Sequence, residues 1–152
     1  ANPSFWHNAK RNKSNEILKL LASKGGVLGL SLYPHHLKNN SNCTLDSFCT
    51  MIIDLIELIG VDHIGFGSDL CQDQPDSVVE WMRVGKWTKK IDYGEGSASN
   101  SGFPKMPSWF KGNRDWKNIL DKLQELGLKQ EEIDKIKGLN WYNFLIKTKA
   151  FE

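Results

Sequence analysis

The sequence predicts an α/β fold, in which helices cover a parallel sheet. Two short runs, VLGLSLY at 27–33 and HIGFGSD at 63–69, consist mainly of apolar and glycine residues. Such runs are typical of strands that are buried on both faces, as they are in parallel sheets. The 29 residues between them carry a helical pattern of apolar residues, and this length suits a crossover connection. Together these features predict a βαβ unit.

Capping residues mark the ends of the first two helices. Ser14 is predicted to cap the first helix, which ends at Gly25 and Gly26. Thr44 is predicted to cap the second, which ends at Gly60. The apolar positions recur at helical spacing: Ile17, Leu18, Leu20 and Leu21 in the first helix, and Phe48, Met51, Ile52, Leu55, Ile56 and Ile59 in the second.

Three more helices are predicted after residue 115. The first begins at Trp116 and ends at Gly127, the second ends at Gly138, and Asn140 caps the last. The preceding stretch, 71–115, contains several prolines and a run rich in Gly and Ser, and it is predicted to be a long loop insertion.

The stretch from Trp81 to Lys117 is both basic and aromatic. It carries eight Lys or Arg, three Asp or Glu and four tryptophans, so its net charge is +5. Interleaved aromatic and basic side chains can stack on bases or sugars, which would make the stretch a binding module. Aromatic loops over the mouth of a larger α/β fold explain the same composition, and we favour that interpretation.

Two strands cannot form a stable sheet of this kind alone, because their outer edges would remain unpaired. Residues 1–152 are therefore predicted to be a single but partial domain. On its own, such a domain is expected to aggregate or to form a homodimer.

Composition excludes several kinds of partner. The net charge of +2 is too small to imply a nucleic acid, and no apolar run is long enough for a transmembrane segment. The cysteines lack the spacing of a zinc knuckle. Cys43 and Cys49 could pair in an oxidising compartment, although reduced thiols are favoured. Nothing in the sequence assigns a compartment.

Asp69 is the candidate catalytic residue. It follows the second strand, and the carboxyl ends of strands carry the active sites of parallel α/β folds. A carboxylate there can accept a proton or bind a metal ion. Alternatively, it only caps the next loop. Gly65 and Gly67 favour a functional role, because glycine inside a strand often marks the close approach of another group.

The histidines are predicted to have supporting roles. His63 lies at the amino end of the second strand, too far from Asp69 to share a metal ion, so a structural role is favoured. His35 and His36 follow the first strand at the same end as Asp69. Adjacent residues of an extended chain point in opposite directions, so we expect this pair to line a pocket rather than to share one ion.

Arg11 precedes the first helix and is the candidate substrate-binding residue. A guanidinium at the entrance to a helix can bind a carboxylate through two hydrogen bonds. The alternative is a solvated charge, which is the usual role of a surface arginine.

Four motifs, RN ahead of the first helix, GGVLGLSLY, LIELIGVDHIGFGSD and GLNW, resemble those of the membrane (renal) dipeptidase family of binuclear zinc peptidases. Arg11 and Asp69 are also 58 residues apart, as the corresponding pair is in that family. Residues 1–70 carry most of the resemblance and 115–148 carry a weaker part.

This resemblance implies the C-terminal portion of an (α/β)8 TIM-type barrel, incomplete in this chain. It implies a metallohydrolase that cleaves dipeptides or similar small amides with two zinc ions bridged by a hydroxide. In the family, the residue matching Arg11 binds the terminal carboxylate of the substrate, and the residue matching Asp69 shuttles the proton. The zinc ligands are expected upstream of Ala1, beginning with a histidine immediately before it, so no metal ligand is assigned in this chain.

Two departures from the family pattern bear on the substrate. Cys71 stands where the family commonly has a second aspartate, and the Trp-rich stretch is longer and more basic. We therefore expect a dipeptidase-like enzyme at full length, with its substrate preference left open, and an inactive fragment when the chain is alone. A non-catalytic relative that keeps only the barrel is the remaining alternative.

Overall fold

The computed structural model describes residues 1–70, 75, 77, 78 and 103–150 of the chain. Within this part, β1 (Leu28–Leu30) pairs in parallel with β2 (Ile64–Phe66). Helix α2 (Leu45–Ile59) connects them, so the predicted βαβ unit and the α/β class are confirmed. The barrel implied by the resemblance is not formed by the described residues, whose sheet has two strands.

The first two helices begin where their capping residues predict. The side chain of Ser14 accepts a hydrogen bond of 3.5 Å from a backbone N–H in the first turn of α1 (Asn15–Ser23). The side chain of Thr44 does the same for α2 at 3.2 Å. Gly25 follows the end of α1 with a φ of 73°, a conformation that glycine adopts without a steric penalty.

The C-terminal helices end where the glycines predict. Helix α3 (Trp116–Glu125) stops before Gly127. Helix α4 (Gln130–Asp134) runs into a π-helical segment (Lys135–Leu139), in which the backbone of Gly138 is non-helical, with a φ of 178°. The chain kinks at this glycine and continues as α5 (Asn140–Lys147). None of the helices described is long and apolar enough to cross a membrane.

Asn140 is not the helix cap that the sequence predicts. Its backbone is already helical, whereas a capping residue has a non-helical conformation. The buried side chain instead donates hydrogen bonds of 2.7 Å to the backbone carbonyls of Val61 and Ile64. Asn140 therefore joins the last helix to the start of β2.

Apolar side chains of the sheet and of helices α2 and α3 form one buried core. Its members include Leu28, Leu30, Leu32, Phe48, Met51, Ile52, Leu55, Ile64, Ile119 and Leu123. Helix α1 buries only Leu18 fully, whereas Ile17 and Leu20 are 54% and 60% exposed. Helix α1 therefore meets the described fold along a narrow stripe.

Both outer edges of the sheet are met by side chains of the same chain. At β1, the side chain of Asn2 accepts from the N–H of Ser31 and donates to its carbonyl, both at 3.0 Å. At β2, the side chains of Asn140 and Trp141 donate to two strand carbonyls at 2.7 and 3.0 Å. Within the described residues neither outer edge has a partner strand, as expected, and these polar side chains bond to part of each edge instead.

Trp141 accounts for the glycines in the middle of the sheet. A Cβ atom at Gly65 would lie 2.4 Å from the indole nitrogen of Trp141, and one at Gly29 would lie 3.2 Å from the same ring. A Cβ at Gly67 would lie 3.2 Å from the Cα of Gly29. Gly65 and Gly67 thus make room for groups of this chain, so they do not support a ligand at Asp69 as the sequence suggested.

Cys43 and Cys49 are buried free thiols, as the sequence favours. Burial raises the pKa of Cys43 to about 11 and that of Cys49 to about 12. The thiolate is the reactive form, so we expect iodoacetamide at pH 8 to alkylate both residues much more slowly in the native protein than in urea. Mass spectrometry of a Cys71→Ser variant checks this, and equal rates in both conditions would contradict it.

The same pKa shifts predict a dependence of stability on pH. In the unfolded chain the thiols ionise at a pH of about 8.5, whereas the folded thiols stay protonated to higher pH. The stability that these two groups contribute is therefore fully present below that pH and is lost as the pH rises toward their folded pKa values.

Most of the predicted loop, 71–102, lies outside the described residues apart from 75, 77 and 78. Its last part, 103–115, contains one short 3-10 helix (Asn113–Asp115) and otherwise irregular backbone. The domain boundaries given above stay a prediction.

Candidate functional site

The parallel hydrogen-bond ladder continues past the two strands to their carboxyl ends. The N–H of Gly67 donates to the carbonyl of Leu30 at 3.0 Å, and the N–H of Leu32 donates to the carbonyl of Ser68 at 3.1 Å. Gly67 and Ser68 are consecutive residues, yet both bond to the β1 side. In a regular strand, consecutive residues form their hydrogen bonds toward opposite edges. Such irregularities re-aim the residues that follow them. Here the next residue is Asp69.

Asp69 is exposed at this end of the sheet. Its φ is 57°, in the left-handed region that costs a residue with a Cβ some energy and that occurs repeatedly at functional sites. In the part of the chain that the structure describes, its carboxylate has no hydrogen-bond or ion-pair partner. A carboxylate held in this way is available to a substrate or a water molecule.

Two asparagines form a buried network beside the end of β1. Asn2 is 0% exposed and Asn12 is 8% exposed. The Oδ1 atom of Asn12 accepts from the backbone N–H of Asn2 at 2.9 Å, and its Nδ2 donates to the carbonyls of His7 and His36 at 2.8 and 3.0 Å. The Nδ2 of Asn2 donates to the carbonyls of Ser31 and His36 at 3.0 and 3.1 Å. The network therefore satisfies the side-chain polar atoms of both asparagines, as burial requires.

The sequence did not predict this asparagine network. The one signal that could have pointed to it was the position of Asn12 directly after Arg11 in the RN motif.

His36 belongs to the same network. It is 4% exposed, and its Nδ1 lies 2.8 Å from the hydroxyl oxygen of Ser31. The turn after β1 thus folds this ring back onto the strand end, and its pocket-lining role stays a prediction. His35 is half-buried, with its ring edge-on to Tyr33 at 5.5 Å between centroids.

Arg11 and Ala1 lie at the same end of the sheet as Asp69. Arg11 is exposed and directly precedes Asn12, which the network ties to the turn after β1. The nitrogen of Ala1 donates to the carbonyl of Gly29 at 2.9 Å.

His63 has the structural role that the sequence favours. Its Nδ1 lies 2.9 Å from the carbonyl oxygen of Gly26. This hydrogen bond joins the amino end of β2 to the segment that leads into β1, at the opposite end of the sheet from Asp69.

Among the residues described, no three or more His, Cys, Asp or Glu side chains are grouped so that they could hold a metal ion. The described residues therefore do not fit a metal site by themselves. They do bring the carboxylate of Asp69 and the segment that carries Arg11 to the same end of the sheet.

The described tryptophans of the basic stretch are half-buried and pack against aromatic side chains of the core. The ring of Trp109 lies 5.4 Å from that of Phe48, and the ring of Trp116 lies 4.6 Å from that of Phe66. Rings engaged in this way do not favour the binding-module alternative, which needs aromatic faces open to bases or sugars. The other two tryptophans of the stretch lie outside the described residues.

The chain spans less than half the length of the solved structures that it resembles. An amidohydrolase from Pseudomonas aeruginosa is 27% identical, with a TM-score of 0.81 over 95% of this chain and 42% of its own. A metallopeptidase from Rhodobacter sphaeroides, liganded with a phosphinate mimic of the dipeptide L-Ala-D-Ala, is 17% identical, with a TM-score of 0.62 over 89% of this chain and 31% of its own. The dipeptidase AC, a metallopeptidase of family M19, is also 17% identical, with a TM-score of 0.62 over 89% and 32%. These likenesses show a shared fold.

A comparison with curated proteins found no match. The sequence profile of the membrane dipeptidases, peptidase family M19, matches residues 1–90. This range is more than half of the 152 residues and includes both Arg11 and Asp69. The chain therefore belongs to the membrane dipeptidase family, peptidase family M19.

Proposed function

We propose that this chain supplies part of the active site of a metallodipeptidase built on an (α/β)8 barrel. Asp69 is its proton acceptor and donor, and Arg11 binds the terminal carboxylate of the substrate. The observation that carries the proposal is that an exposed Asp69, with a positive φ and no described partner, shares one end of the sheet with the segment of Arg11. Membership of the family and the dipeptide mimic bound by a relative support it.

The proposed roles follow from what dipeptide hydrolysis requires. The oxygen of a water molecule bonds to the peptide carbonyl carbon, the C–N bond breaks, and the amine leaves with a proton. The carboxylate of Asp69 takes one proton from the water and returns it to the amine nitrogen, so the proton balance closes. A guanidinium that binds the terminal carboxylate through two hydrogen bonds holds the scissile bond at a set distance from Arg11. That distance would restrict the enzyme to short substrates.

The other parts of the proposed enzyme come from outside the described residues. The described side chains do not fit a metal site. The zinc ligands are proposed to lie upstream of Ala1, as the resemblance to the family implies.

Arg11→Ala in the full-length, zinc-loaded protein is expected to raise KM for dipeptides roughly 10- to 100-fold, because hydrogen bonds to charged groups contribute about 1.5–3 kcal/mol. We expect kcat to change much less, since the clamp acts on substrate and transition state alike. Steady-state kinetics with a dipeptide measure both constants.

A substrate without the carboxylate serves as the control for Arg11. A dipeptide amide should bind the unmodified enzyme weakly, and Arg11→Ala should leave its KM unchanged. Arg11→Lys keeps the charge but not the planar fork, so an intermediate KM for the dipeptide is expected. An unchanged KM for the dipeptide in Arg11→Ala would refute the clamp.

A further inference from the structure

The buried asparagine network joins three segments that are distant in the sequence. Through Asn2 and Asn12 it connects the first residues of the chain with the end of β1 at Ser31 and with the turn at His36. Buried hydrogen bonds of this kind fix geometry, because each polar group left without a partner destabilises the folded state. The three segments are therefore held in one arrangement.

The loop that carries Arg11 is attached to α2 through Trp6, whose indole N–H donates to the hydroxyl of Ser47 at 3.2 Å, and to the turn after β1 through Asn12. It is closed at its base by an isolated parallel bridge between Pro3 and Lys13 and by a backbone hydrogen bond of 2.9 Å from Lys13 to Asn2. The backbone N–H of Asn12 donates to the carbonyl of Ala9 at 3.0 Å within the loop. The side chain of Asn12 reaches out of the loop to the turn that follows β1.

We propose that Asn12, with Asn2, is a positioning residue that presets Arg11 for the carboxylate of the substrate. This inference rests on the proposed function of Arg11. A long side chain whose backbone is already fixed loses less freedom when it binds, so the affinity for the carboxylate rises. Truncation of Asn12 would leave the carbonyls of His7 and His36 without this donor and would loosen the loop. It would not touch Asp69.

Asn12→Ala in the full-length, zinc-loaded protein is expected to raise KM for dipeptides about tenfold and to change kcat by no more than about twofold. The KM for a dipeptide amide, which has no carboxylate to place, is expected to stay the same. This split between two substrates is a readout that a general loss of stability would not produce.

Asn140→Ala is the matched control. Asn140 is 5% exposed, and its Nδ2 also donates to two backbone carbonyls, at the amino end of the sheet. Both alanine variants lose a buried amide with two backbone acceptors, so both should lower the Tm. We expect only Asn12→Ala to raise KM for the dipeptide.

The outcomes distinguish a failure of this inference about Asn12 from a failure of the proposed function of Arg11. If Asn12→Ala and Asn140→Ala lower the Tm alike and neither changes KM, the inference is overturned and Asn12 serves stability alone. If Arg11→Ala also leaves KM unchanged, the proposed function fails as well. Should Asn12→Ala not fold, Asn12→Ser, which keeps a polar group near the N–H of Asn2, is measured with both substrates and held to the same outcomes.

Discussion

Asp69→Asn in the full-length protein is expected to lower kcat for dipeptides by roughly 10²- to 10⁴-fold, the usual contribution of a positioned proton acceptor. Asparagine has nearly the shape of aspartate, but it does not accept a proton near neutral pH. The loss falls on the transition state, where the proton moves, so KM should stay within about twofold. Steady-state kinetics and metal analysis of the same sample check the result, and the zinc content is expected to be unchanged.

The surroundings of Asp69 make asparagine a clean replacement. The carboxylate forms no hydrogen bond or ion pair with the described residues, so asparagine removes no such contact. The φ of 57° is one that asparagine tolerates better than most residues, because its short polar side chain can hydrogen-bond locally. The variant should therefore fold as the unmodified protein does.

Asp62→Asn is the matched control for the loss of a carboxylate. Asp62 is exposed at the amino end of the same strand, where it forms an ion pair of 2.8 Å with Lys135. Exposed pairs of this kind contribute little to stability, and kcat is expected to be unchanged. Turnover retained in Asp69→Asn, or an equal loss in both variants, would contradict the role of Asp69.

The parts of the fold that the sequence predicts are those set by local interactions. Ser14 and Thr44 bond to N–H groups three residues away, and Gly25 is needed directly after α1 for its positive φ. Such signals can be read without knowing the rest of the structure. The role of Asn140 could not be read in this way, because one of its acceptors, Ile64, is 76 residues distant.

In the candidate site, too, the sequence predicts what local interactions set and does not predict what distant contacts set. The position of Asp69 follows from the end of a buried run, which is visible in the sequence. The network of Asn2 and Asn12 beside it depends on contacts across 24 to 34 residues, which the sequence does not show. The glycines of β2 are an intermediate case. Their presence indicates that another group comes close, but the sequence does not say that this group is Trp141.

Gly65→Ala is expected to lower the free energy of unfolding by about 1–3 kcal/mol, the usual penalty for overpacking. The new Cβ would lie 2.4 Å from the indole nitrogen of Trp141 and 2.8 Å from its Cδ1. The indole cannot turn aside freely, because its N–H donates to the carbonyl of Phe66 at 3.0 Å and its ring also packs against Gly29. The midpoint of thermal or urea unfolding measures the change.

Gly138→Ala provides the control for the added methyl group, because a Cβ there would meet no atom within 4 Å. We expect it to leave the midpoint nearly unchanged.

A double-mutant cycle with Trp141→Phe tests the cause directly, since phenylalanine lacks the nitrogen that the new methyl group would meet. Gly65→Ala should destabilise the Trp141→Phe protein less than it destabilises the unmodified one. An equal loss in both backgrounds would show that Gly65 does not make room for Trp141. A smaller loss of stability in the Trp141→Phe background would mean that the indole of Trp141 packs against β2 at Gly65. Gly65 lies four residues before Asp69, so the C-terminal helix would help to fix the strand that carries the proposed proton acceptor.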